Sequence, residues 1–159
     1  MQQYLNQTSG EKILLTIWIG ALWTVGFLVV PTLFGTMEDK QLAGMLAGKM
    51  FTAVSYIGLF AGLIILLSEV KLSRQFKSNK RIWLLALMLL IVIIGEFIIQ
   101  PQMAALKQTG LLSSSEVSRQ FDQLHLIATA LYMLNSLFGL LLIILVPQKQ
   151  LSSPVSDKY

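Results

Sequence analysis

Phe121–Val146, FDQLHLIATALYMLNSLFGLLLIILV, is apolar enough to cross a bilayer, yet it carries Asp122, His125, Tyr132 and Asn135. It has 26 residues, where about 20 helical residues cross the hydrocarbon. His125, Ala128, Tyr132, Asn135 and Gly139 step by three and four, so a helix sets them along one face. The opposite face is Leu, Ile and Phe. A helix that is apolar toward lipid and small or polar along one stripe turns that stripe toward other helices. The segment therefore reads as one span of an all-α membrane protein, and the rest of the chain has to supply what meets the stripe.

The composition agrees. The chain of 159 residues is 55% hydrophobic and 13% charged, against about 25% charged in soluble domains. Its mean hydropathy is +0.69. The solvent for much of its surface is thus the lipid bilayer. The net charge is only +4, and the basic residues gather in one short loop. A nucleic-acid binder would spread them over a face with aromatics between, so nucleic acid is not an expected partner. There is no cysteine, which removes disulfides, thiolate catalysis and Cys-ligated metal centres.

Three more spans precede this one. Residues 1–12 are a polar lead, followed by 25 uncharged residues from Ile13 to Met37. That core is too long for a cleaved signal peptide, so the first span, about 13–36, is expected to be retained. Pro31 is expected to end or kink it. Glu38–Gln41 form a loop, and the second span covers about 43–69. It holds Gly44-x-x-x-Gly48 and Gly58-x-x-x-Gly62, small-residue pairs that let helices approach closely in lipid and offer a surface for oligomerisation.

The third span is decided by Glu96. Only 14 uncharged residues separate it from Arg81, about 21 Å of helix. The span must therefore run on to about Gln100, before Pro101, which leaves Glu96 about 6 Å inside the membrane. Residues 101–118 are a loop in which Ser113 and Glu116 match a capping box, and the fourth span covers 119–146. The result is a four-helix transmembrane domain over 13–146 with a tail at 147–159. Lys71–Arg81 has five basic residues and no acidic one. Short basic loops stay cytoplasmic, so both termini are expected there, most naturally at a bacterial inner membrane.

On a common depth scale, Glu96, His125 and Lys49 reach the same level of the outer leaflet, with Asp122 at the boundary. Charges inside a membrane cost about 2.5–3.5 kcal/mol each and usually pair in the protein interior. Glu96 is expected to pair with His125 or Lys49 in an outward-facing polar pocket; the alternative is that these groups only join helices. Tyr132 and Asn135, deeper on the stripe, read as structural. His125 with Met37, Met45, Met50 and Met103 could offer soft donors to copper, although methionine also fills gaps between helices. Two histidines for one haem are not present, which leaves a His/Met haem or one shared between chains. Phosphate-cradling, nucleophile-elbow and zincin motifs are absent. No catalytic residue and no resident cofactor is expected, and the reading leans away from an enzyme.

Taken in order, LTIWIGALWTVGFLVVPTLF, AGMLAGKMF, QPQMAAL and FDQLHLIATALYMLN resemble the family known as domain of unknown function 4149, with its transmembrane protein 205-like members. The likeness rests on Trp18, Gly20, Pro31 and Phe34, on Ala43, Gly44, Gly48 and Phe51, on Pro101 and Met103, and on Phe121, Leu124, His125 and Asn135. It implies four spans and no established activity. Its eukaryotic members are associated with resistance to platinum drugs. A distant similarity to copper-resistance-D-like membrane proteins, a group that includes a haem-binding oxidoreductase, implies copper or haem as an alternative. The competing expectations are a transport- or resistance-type protein, an accessory subunit of a larger membrane complex, and a metal or haem protein. A homo-oligomer or a larger assembly is expected in the first two.

Overall fold

A computed structural model describes residues 2–72, 80–108 and 115–144, with side chains from Gly10 onward. Residues 73–79 of the basic loop between the second and third spans, the Ser113 half of the capping box and the tail lie outside the described residues. Six α-helices make up the described residues: α1 (Gln2–Trp23), α2 (Val30–Thr36), α3 (Lys40–Leu72), α4 (Lys80–Ile94), α5 (Gln100–Gln108) and α6 (Ser115–Ile144). Two π turns, Thr24–Val29 and Gly95–Ile99, join α1 to α2 and α4 to α5. The outcome is four helices long and apolar enough to cross a membrane, with no strand among the described residues.

Neither proline ends its helix. A proline inside a helix lacks an N–H, and its ring meets the carbonyl four residues back. Here the helix widens just before each one. The residues preceding the prolines bond five residues back, Val30 N–H to Val25 O and Gln100 N–H to Gly95 O. Pro31 then enters the first turn of α2 and Pro101 that of α5, where a missing N–H costs little. The third helix therefore runs past Gln100 to Gln108, beyond the end that Pro101 suggested. The charged loop between α2 and α3 is a pair of caps. Lys40 Nζ donates to Phe34 O at 2.6 Å and Met37 O at 3.0 Å. Asp39 accepts from Gln41 N and Leu42 N at 2.9 and 3.0 Å, which serves orphan donors of the first turn of α3.

The spans form a closed antiparallel ring. α1 packs on α3, α3 on α4, α4 on α6, and α6 back on α1. The larger core cluster fills the half nearer Arg81, around Leu15, Trp18, Ile65, Leu85, Met88 and Leu142. Trp18 lies fully buried against Gly58 and Gly62. A Cβ at Gly62 would stand 2.9 Å from its ring and 2.7 Å from Leu89. The second glycine pair is thus spent inside the bundle, as a slot for an indole, and offers no free surface for oligomerisation. The smaller cluster, Leu22, Val25 and Val54, supports the opposite half only thinly. Outward, Leu28, Phe60, Leu126 and Ile144 are among many exposed large apolar residues, as expected of helices facing lipid.

Candidate functional site

The stripe on α6 does turn inward, but not along its whole length. Asn135, Ser136, Gly139 and Leu142 are buried, and Ile19 lies 3.1 Å from where a Cβ on Gly139 would be. Tyr132 is half-buried. It donates its hydroxyl to Leu22 O, two residues before the first π turn begins at Thr24. The same ring lies against Gly26, where a Cβ would stand 2.8 Å from the hydroxyl. Phe51 of α3 closes the other side edge-on at 4.9 Å. Tyr132 is thus a wedge joining three spans, and Gly26 is the space it enters. Tyr132→Phe is expected to cost about 0.5–2 kcal/mol, the range of interhelical hydrogen bonds in lipid. Gly26→Ala is expected to cost about 1–3 kcal/mol through overpacking. Its penalty should shrink in a Tyr132→Ala background, which a double-mutant cycle by unfolding in mixed micelles would show.

The matched-depth group behaves differently. Glu96 sits in the second π turn, half-buried, and α6 packs against that turn. Yet among the described residues Glu96 enters no ion pair with His125 or Lys49. His125 is exposed, its ring stacked on Phe121 at 6.1 Å and 10°. Asp122 is exposed as well. Helical phase explains the separation, since Phe121, Leu124 and Ala128 take the partly covered positions on these turns and His125 is rotated out of them.

Lys49 is exposed and lines a cleft that neither Glu96 nor His125 enters. This cleft, of about 300 Å³, lies between α3 and α5, lined by Met45, Gly48, Lys49 and Thr52 from α3 and by Gln100, Ala104 and Lys107 from α5. Lys107 is half-buried. Its ammonium donates to Gly44 O at 3.4 Å and lies 5.5 Å from the centre of the Phe121 ring on α6, in cation–π range. The first glycine pair is divided: Gly48 lines the cleft, while Gly44 supplies a carbonyl to Lys107 and turns its Cβ position toward Phe34 of α2 at 3.7 Å. Sequence reasoning assigned Lys107 to a loop. The missed signal is that Gln100, Ala104 and Lys107 keep helical spacing beyond Pro101, with Met103 buried behind them.

A second polar group, also missed, lies at the far end. Ser68 Oγ donates to Glu11 Oε1 at 3.2 Å, and Arg81 pairs with Glu69 with both side chains largely buried. It joins α1, α3 and α4. Its members flank the apolar runs, where periodicity gives no weight to single charges.

The soft donors are dispersed in their surroundings. Met103 is buried, Met37 half-buried, Met45 and Met50 exposed, and only Met45 lines the cleft. Among the described residues no group of three or more His, Cys, Asp or Glu side chains is placed to hold a metal.

Comparison with known proteins gives one match. The family model described as domain of unknown function (DUF4149) matches residues 13–111, the first three spans with both π turns and the whole lining of the cleft. The match ends before α6, so the likeness at His125 and Asn135 lies outside it. No curated protein and no solved structure matches the chain, and the wider likenesses to transmembrane protein 205 and copper-resistance proteins rest on sequence pattern alone. The matched region is well over half of the chain, and the chain is a member of the DUF4149 family of unknown function.

Proposed function

We propose that this small integral membrane protein is of transport or resistance type, with a polar pocket that opens outward between α3 and α5. The observation that supports it is the cleft itself, in which Lys49 and Lys107 stand with Thr52 and Gln100. Lys49 belonged to the pocket expected from depth. Lys107 and Gln100 take the place given there to Glu96 and His125. The proposal keeps both termini cytoplasmic in a bacterial inner membrane, which puts the cleft on the outer side. It also takes the protein to act as a homo-oligomer, because four helices alone enclose little space.

Purification in mild detergent, followed by native mass and an absorbance spectrum, separates the readings. The expected result is a species built only of copies of this chain. Inseparable association with other subunits would overturn the proposal in favour of an accessory subunit. A Soret band or stoichiometric copper would overturn it in favour of the haem or copper alternative, whose donors are His125 and the methionines.

A further inference from the structure

We propose that the cleft between α3 and α5 binds a phosphate-bearing anion, held between the ammonium groups of Lys49 and Lys107. This deepens the pocket reading and rests on it.

Charge points to an anion. Two lysines line one cleft, and among the described residues neither pairs with a carboxylate. Lys49 is exposed, with its ammonium free to meet a ligand in the cleft, and Lys107 is half-buried. Lys107 has instead a carbonyl at the long distance of 3.4 Å and a ring face at 5.5 Å. The remaining lining suits one too. The Thr52 hydroxyl and the Gln100 amide can both donate, and no carboxylate lines the cleft. There is also room. A Cβ on Gly48 would meet nothing within 4 Å, and a cleft of about 300 Å³ accommodates a phosphate with part of what it esterifies.

Shape favours phosphate over carboxylate. A carboxylate presents two oxygens to one side, whereas a phosphate presents oxygens in tetrahedral directions that reach α3 and α5 together. Lysine binds phosphate as a mobile point charge and needs no planar match. The ligand has two possible sources, the headgroup of an anionic lipid and a phosphate compound from water.

The lack of cysteine allows a clean test. Ala104→Cys places a reporter in the cleft, and Thr36→Cys, exposed at the same end, serves as reference. The full chain is reconstituted in phosphatidylcholine vesicles alone, with phosphatidylglycerol added, or with inorganic phosphate in the buffer. The rate with N-ethylmaleimide, a small neutral reagent, is read relative to the reference, since only a water-accessible thiolate reacts.

Occupancy is expected to slow the reporter. Lys49→Gln and Lys107→Gln are each expected to raise the concentration needed for protection about tenfold, as for loss of a charged hydrogen bond. Protection by phosphatidylglycerol alone identifies a lipid, and protection by phosphate identifies a soluble ligand; either supports the proposal. A reporter that reacts readily and at one rate in all three conditions overturns the anion site and leaves the pocket standing. So does protection that survives both lysine substitutions. A reporter that never reacts while the reference does overturns the pocket reading itself.

Discussion

Trp18→Ala is expected to destabilise the bundle by about 3–5 kcal/mol, the range for emptying a large buried aromatic site. Trp18 has no exposed surface and sits at the centre of the larger core cluster, touching α3 through Gly58 and Gly62 and approaching Leu89 of α4. Removing it leaves a void bordered by three spans. Lipid chains are as apolar as leucine, so what holds helices together in a membrane is contact rather than escape from water; a void there loses those contacts outright. Gly62→Val should do comparable damage from the other side, because its Cβ would meet Trp18 and Leu89 at under 3 Å. The pair should be strongly non-additive, the valine partly refilling the space that the alanine leaves. Reversible unfolding in mixed micelles measures both. A Trp18→Ala loss below about 1 kcal/mol, no more than an average substitution costs, would show that the indole does not organise the core.

Arg81→Met is the second large effect. Arg81 and Glu69 pair with side chains 15% and 13% exposed, and Glu11 bonds Ser68 in the adjoining turn. Removing the cation leaves two carboxylates in one poorly hydrated corner. Breaking such a pair from one side costs about 3–5 kcal/mol, because the remaining charge is stranded. Replacing both partners, Arg81→Met with Glu69→Met, should recover most of the loss, since an apolar pair of similar size is often no worse than a buried ion pair. The same unfolding measurement checks it. Equal losses in the single and double variants would mean that the pair itself, and not a stranded carboxylate, carries the effect.

Much of this fold was legible in the sequence. Four apolar runs of bilayer length and the spacing of Tyr132, Asn135 and Gly139 were enough for an all-helical bundle with α6 turned inward. What was not legible follows from three physical causes. Proline reads as a stop, and nothing in a residue list shows that a wider turn at Gly95–Ile99 lets the helix pass Pro101. Lys107 was lost to a loop for that reason. Depth along a span is easily counted, but phase around it depends on how each helix is rotated in the bundle, and for Glu96 also on the π turn it occupies. Glu96, His125 and Lys49 were therefore matched in height without being matched in direction. Finally, a small-residue pair has the same pattern whether a helix, an indole or a ligand occupies the space. Gly58 and Gly62 receive Trp18, while Gly48 borders the cleft.

The proposed site requires Lys49 and Lys107 to stand on the two walls of one accessible cleft. The direct measurement is cross-linking of the reconstituted, otherwise cysteine-free chain carrying Lys49→Cys and Ala104→Cys together, with a short bis-maleimide. Rapid intramolecular bridging is expected, because residues 49 and 104 line the same cleft from α3 and α5. Two thiols that each react singly but are never bridged would contradict it, and with it the proposed site.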